Sequence, residues 1–283
     1  MKIVKNIILK GKHHKPILTD VFYIQNMNPK PIVIFAHGYK GYKDWGCWNL
    51  AAEIFAKHNF FFVKFNFSHN GGTVEQPIDF PDLEAFGQNN YTKELDDLQS
   101  VIDWVYTDES FKNQIDTSNI TLIGHSRGGG IVTIKGAEDF RISRLVTWAS
   151  VSDFGKRSST IGNLEQWKKD GVKYILNGRT KQKMPHYYQF YEDFKANETR
   201  LNIESSVKNL EIPHLIFHGT ADEAIAIQEA EKLHSWNSQS KLTLIEGANH
   251  TFGAVHPWKN NSLPSYLKKV VNKSIVFVNN PIK

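Results

Sequence analysis

A chain of 283 residues with 40% hydrophobic and 22% charged side chains carries enough apolar material for a substantial core, which excludes intrinsic disorder. Its net charge of +5 is spread thinly, with no block of five like charges and no basic stripe, which argues against a nucleic-acid binder. Cys47 is the single cysteine, so no intramolecular disulfide forms, and no stretch approaches about 18 uninterrupted apolar residues, so no membrane span is expected.

In chain order, the apolar run 3–9 is interrupted by Lys5 and Asn6 and is too short for a signal-peptide core, so a cytoplasmic location is expected. Run 17–24 follows with no long helix between, which predicts an antiparallel pair at a sheet edge. Residues 31–36 predict a buried strand stopped by His37-Gly38. Asp44 is placed to cap a helix through His58, with Leu50, Ile54 and Phe55 on one face. Residues 60–67 are the next strand, and Thr92 opens a helix in which Leu95, Leu98, Ile102 and Val105 recur at helical spacing. Strands are expected at 119–123, 144–149, 214–217 and 241–245, with helices at 126–137 and 223–236. Near-continuous apolar strands alternating with helices are what a mostly parallel sheet covered on both faces requires. Residues 153–211 break the alternation: they hold no strong strand but many aromatics, among them Trp167, Tyr187, Tyr188 and Phe190. They are expected to form a helical cap inserted into a core made of 1–152 and 212–283.

The chemistry concentrates at three places. Gly124-His125-Ser126-Arg127-Gly128 matches G-x-S-x-G between a predicted strand and a predicted helix. There the chain must turn sharply, display the Ser126 hydroxyl and begin a helix whose positive end faces the site. A serine hydroxyl needs a base to take its proton. Of the twelve histidines, His250 is the best candidate, in the loop after the last predicted strand, whereas His13, His14, His58, His186 and His234 show no constellation. The imidazole needs a carboxylate to hold its tautomer. Asp222 follows the strand 214–217 and is preferred, with Asp153 and Glu223 as competitors. The oxyanion requires two backbone N–H groups. Arg127, next to the nucleophile, supplies one, and Tyr39, in the loop His37-Gly38-Tyr39-Lys40-Gly41, supplies the other.

On these residues the chain resembles the α/β-hydrolase superfamily over residues 32–252, close to dienelactone-hydrolase-like and cinnamoyl-esterase-like enzymes and to acylaminoacyl-peptidase-type catalytic domains. The order Ser126, Asp222, His250 is the one this fold imposes. The resemblance implies a central sheet of about eight strands, no cofactor and carboxylic ester hydrolysis through an acyl-enzyme. Two departures stand out. Dienelactone hydrolases proper carry Cys in the elbow where Ser126 stands here, and the aromatic-ester members carry a smaller insertion than 153–211.

The expected function is therefore a serine hydrolase of small or medium carboxylic esters, aromatic ones included, with a small-molecule ester as its partner. A peptidase or thioesterase with the same triad is the alternative, because acyl specificity lies in the pocket and not in the motif. Dehalogenase and epoxide-hydrolase chemistry need a carboxylate at position 126. A purely interacting protein would lack a triad member, and all three are present. No metal is expected, since neither His13-His14 nor residues 220–223 form a ligand set of known spacing.

Overall fold

The computed structural model describes residues 1–159 and 162–280; residues 160–161 of the expected cap and 281–283 of the expected core lie outside the described residues. In chain order the elements are β1 (Lys2–Lys10), β2 (Pro16–Tyr23), β3 (Lys30–Ala36), α1 (Trp48–Lys57), β4 (Phe61–Phe65), α2 (Leu83–Gly87), α3 (Tyr91–Thr107), β5 (Ile115–His125) and α4 (Arg127–Glu138). Then follow β6 (Ile142–Trp148), α5 (Phe154–Ser159), α6 (Leu164–Asp170), β7 (Val172–Leu176), β8 (Lys183–Tyr187), α7 (Gln189–Ala196) and α8 (Ile203–Lys208). The last elements are β9 (His214–Gly219), α9 (Ile227–Trp236), β10 (Lys241–Ile245) and α10 (Ser265–Asn279).

Eight strands form one sheet in the order β1-β2-β4-β3-β5-β6-β9-β10. The pairings β1–β2 and β2–β4 are antiparallel and all the others are parallel, so the early hairpin sits at one edge as expected. Side chains of a strand alternate between faces. In β3, Ile32, Ile34 and Ala36 join the core under α3 and α4, while Val33 and Phe35 join the core under α1 and α10. Phe35 packs against Trp48, Phe62 and Trp148 at ring separations of 5.0, 6.3 and 5.6 Å. Burying each such side chain stabilises the fold by roughly 1.5–3 kcal/mol. With both faces covered, every parallel strand ends at one rim, and the connecting loops at that rim can carry a site.

Two details differ from the sequence expectation. Helix α1 starts at Trp48, with Cys47 and not Asp44 at its N-cap. The Asp44 carboxylate is taken up elsewhere, by Lys43 Nζ at 2.6 Å and Lys64 Nζ at 2.9 Å, in a buried cluster completed by Asp20. Residues 153–211 are not purely helical either, because β7 and β8 form an antiparallel hairpin. In β8, Lys183, Pro185 and His186 interrupt the apolar run by which the sheet strands are read, and β7 alone does not announce a pair. The hairpin is anchored on α2: a β-carbon on Gly87 would lie 2.7 Å from the Tyr187 ring, and the Tyr187 hydroxyl donates to Glu84. Helix α8 instead packs on the core, where Ile203 and Val207 join Ile131. Among the described residues no helix is long and apolar enough to cross a membrane.

Candidate active site

Strand β5 runs straight into the turn that carries Ser126, whose backbone adopts φ 58° and ψ −120°. A non-glycine residue rarely occupies that region, and it persists only where its surroundings over-determine it. They do so here. The Ser126 N–H donates to Trp148 O at 2.9 Å, and its carbonyl accepts from Gly129 N at 3.0 Å. A β-carbon on Gly124 would lie 2.3 Å from the Gly128 carbonyl oxygen, and one on Gly128 would lie 2.5 Å from those of Ala36 and His37. The turn therefore tolerates no side chain at either position. Arg127 opens α4, so its N–H belongs to the first turn, where amides have no intrahelical acceptor and the helix dipole is positive.

The loop after β3 is pressed against this turn. A β-carbon on Gly38 would lie 2.8 Å from Ser126 Cβ. His37 ties the loop down: Phe67 N–H donates to its Nε2 at 3.4 Å, which leaves Nδ1 to donate to Gly38 O at 2.9 Å. Burial lowers the His37 pKa to about 4, against the bond to Gly38 and with help from the Arg127 charge. Tyr39 follows, its ring 4.4 Å from the Arg127 guanidinium carbon.

At the far end of the sheet, the turns after β9 and β10 are stitched together. Ala221 N–H donates to Ala248 O at 3.0 Å, and a β-carbon on Gly219 would sit 2.2 Å from that same oxygen. This brings Asp222 to His250: Nδ1 of His250 lies 2.8 Å from Asp222 Oδ2. The other carboxylate oxygen accepts from Ala224 N at 2.9 Å and Ile225 N at 2.8 Å. Burial works against the Asp222 charge, but the His250 bond and these two amides outweigh it and hold the carboxyl below its ordinary value. Asp153 is elsewhere, accepting Lys156 N at 3.0 Å at the start of α5. Glu223 is exposed.

The sequence-predicted residues converge on one pocket of about 420 Å³, lined by Ser126, His250, Tyr39 and Arg127. Asp222 stands behind His250 with no exposed side-chain surface. Such a pocket offers a displayed hydroxyl, an imidazole aligned by a carboxylate and the amides of a helix start, which is what nucleophilic acyl transfer requires.

Three further side chains at the site have structural contacts to which the sequence assigns no role. His125 turns away from the pocket, and its Nε2–H donates to the His250 carbonyl at 2.9 Å. Burial drives its pKa to about 3, so it holds the His250 loop as a neutral donor. His218 Nε2 lies 2.9 Å from Ile225 O and 3.4 Å from Asp222 Oδ2, behind the carboxylate. His186, which shows no constellation in the sequence, lines the pocket from β8. Its Nδ1 donates to Met184 O at 3.2 Å, so its Nε2 accepts from the Tyr39 hydroxyl at 2.7 Å. Only the long-range contact between the hairpin and the Tyr39 loop marks it.

No curated protein matches the chain by sequence. Solved structures do match. Est1E from Butyrivibrio proteoclasticus, in its complex with ferulic acid, superposes with a TM-score of 0.74 at 17% identity, over 96% of this chain and 97% of that one. The esterase domain of a Rhodothermus marinus protein gives 0.60 at 17%, over 89% and 91%. A puromycin-hydrolyzing peptidase from Mycobacterium tuberculosis gives 0.66 at 13%, over 98% of this chain and 39% of its own. At such identities the likeness is one of fold. The BD-FAE family model matches residues 78–237, a span that holds the elbow, the 153–211 segment and Asp222. More than half of the sequence fits that model, and the chain belongs to the BD-FAE family of α/β-hydrolases.

Proposed function

We propose that the protein is a serine hydrolase that cleaves carboxylic esters through an acyl-enzyme, with Ser126 as nucleophile, His250 as general base and Asp222 as its supporting acid. The observation that carries this reading is the 2.8 Å contact of His250 Nδ1 with Asp222, in a pocket that also displays the strained Ser126. In the proposed sequence, Oγ of Ser126 attacks the carbonyl carbon as its proton passes to His250 Nε2. Asp222 keeps Nδ1 protonated and stabilises the imidazolium. The oxyanion accepts from the backbone N–H groups of Tyr39 and Arg127. The imidazolium then protonates the leaving oxygen, and water activated by the same imidazole frees the acid and regenerates Ser126.

Residues 153–211 act in this reading as a cap on a core of 1–152 and 212–283, because Phe154, Ile175 and His186 reach the same pocket as Ser126. The Tyr91 and Phe154 rings stack at 3.9 Å and offer a flat apolar wall for small or medium acyl groups, aromatic ones included, as the ferulic acid bound to Est1E also suggests. A peptidase using the same triad is the second reading, favoured by the likeness to the puromycin-hydrolyzing peptidase. The lone buried Cys47 suits a reducing, cytoplasmic setting. A fluorophosphonate probe with p-nitrophenyl esters of rising chain length tests the proposal. Labelling at Ser126 and ester turnover are expected; neither labelling nor turnover would sink it, and turnover of peptide substrates alone would select the second reading.

A further inference from the structure

The charge of the pocket is one-sided. Lys40, Arg127 and Arg157 line it, and none of its lining residues is an aspartate or glutamate. Two acids stand behind lining residues: Asp222, 2.8 Å behind His250, and Glu94, buried behind Arg127, which contacts the guanidinium Nη1 at 3.4 Å and accepts from Asn89 Nδ2 at 2.7 Å. A guanidinium offers five N–H donors. Among the described residues that of Arg127 makes this one hydrogen bond, while the Tyr39, Tyr91 and Phe190 rings lie 4.4, 5.3 and 5.4 Å from its carbon. Arg157 reaches Glu229 Oε1 at 3.6 Å. Lys40 differs from both: among the described residues its ammonium forms no salt bridge, and it lies 5.1 Å from the centre of the Tyr39 ring.

Arg127 is compensated by Glu94 and the three rings, but Lys40 has no carboxylate partner among the described residues, so the wall of this cleft presents a positive potential that attracts an anion. Burial, and then the nearby Arg127 charge, hold the Lys40 ammonium below its ordinary value. An anion between the two cations relieves that repulsion. We infer that the substrate is an ester carrying a carboxylate, which Lys40 and the unused donors of Arg127 receive beside Ser126. This rests on the esterase reading of the site and adds the charge of the substrate to it. Lys40 and the Arg127 side chain act here as specificity determinants and take no part in bond making, whereas the Arg127 backbone amide keeps its separate proposed role.

The test compares kcat/KM for matched charged and neutral esters in two arms. One arm sets the half-ester p-nitrophenyl adipate against its neutral terminal amide, which places the charge on the acyl side. The other sets 4-carboxyphenyl butyrate against 4-carboxamidophenyl butyrate, which places it on the leaving group. A preference of about tenfold for the charged ester is expected in one arm, the size of effect that a like or opposite charge a few ångströms away exerts at a partly screened site. It should shrink severalfold between about 20 mM and 0.5 M salt, as the Debye length falls. Lys40→Gln should bring the charged-to-neutral ratio towards one. A ratio near one in both arms overturns the inference, as does a preference that ignores both salt and Lys40→Gln. If Lys40→Gln does not fold, the salt dependence of the unmodified enzyme decides in the same two directions. Turnover of neutral esters without charge preference removes this inference alone; absence of all turnover and of Ser126 labelling removes the esterase reading and this inference with it.

Discussion

The turn at Ser126 and the hairpin β7–β8 face each other across the same pocket, yet they are held by different physics. Around Ser126 the backbone is packed on itself, and the β-carbons missing from Gly124 and Gly128 would fall within 2.6 Å of main-chain atoms. Nothing there can shift without moving the sheet. The hairpin leaves Tyr174 and Leu176 exposed and is fastened by side chains: Tyr187 to Glu84, His186 to Tyr39, Arg179 to Asp79. The elbow is thus over-determined, as a strained backbone conformation needs in order to persist. The hairpin is held by these polar contacts, worth about 1 kcal/mol each, and by Met184, buried against Phe80 and Phe86, with no backbone packed on backbone as at the elbow.

The comparison can be broken first at its rigid side. Ser126→Ala should abolish ester turnover and fluorophosphonate labelling, with a kcat loss reaching about 10⁶ in the limit where nucleophile and base act as a unit. A folded variant keeping more than a tenth of the activity would falsify the assignment of the nucleophile. Asp222→Asn should cut kcat by up to about 10⁴ by favouring the wrong imidazole tautomer, whereas Asp153→Asn should be mild. Steady-state kinetics on both variants would reassign the acid if the ranking came out reversed.

Gly128→Ala probes packing rather than chemistry. Its new methyl would meet two carbonyl oxygens at 2.5 Å, so a loss of about 3 kcal/mol or more is expected in urea titrations. A loss below about 1 kcal/mol would mean that the elbow yields more than its geometry implies.

Acid should loosen both regions together. Burial holds His37 and His186 at about 4 and His125 and His214 at about 3, below the ordinary 6.5. Between those values each of these four histidines binds its proton more readily in the unfolded chain, whereas Asp97, pushed up to about 7 by burial, opposes them as a single group, so the balance of these five makes stability rise with pH across that window. The unfolding free energy from urea titrations should fall steadily from pH 6.5 to 4.5, by up to about 1.4 kcal/mol per pH unit for each such histidine. A profile that stays flat in Asp97→Asn as well would mean that these rings are charged in the fold or reach water.

The smallest effect is expected at the seam between the two regions. Tyr39→Phe removes the bond to His186 and should cost about 1 kcal/mol of stability, while moving the ester chain-length profile more than it moves Ser126 labelling. In a double-mutant cycle with His186→Ala, a coupling energy near zero would separate the hairpin from the Tyr39 loop.

Much of the molecule was legible in the amino-acid order alone. Strand runs such as 31–36 and 119–123 read as buried because both faces of a parallel strand are apolar. Gly124, Ser126 and Gly128 read as an elbow because so tight a strand-to-helix turn leaves no room for side chains at the two flanking positions. Residues 250 and 222 were indicated by residue type and by the strands they follow, and the tertiary structure brings them to 2.8 Å. What only the tertiary structure decided depends on contacts between distant segments. Asp44 left its expected cap because two buried ammonium groups claim its carboxylate. His186 acquired a place at the site because a short Pro-containing hairpin carries it 147 residues along the chain to Tyr39. A pocket lined by cations without a carboxylate is likewise a property of the assembled surface, since Lys40, Arg127 and Arg157 are no more clustered in the chain than any other basic residues. Local sequence encodes turns and periodicities through short-range sterics, whereas charge neighbourhoods are set by which loops the sheet order places side by side.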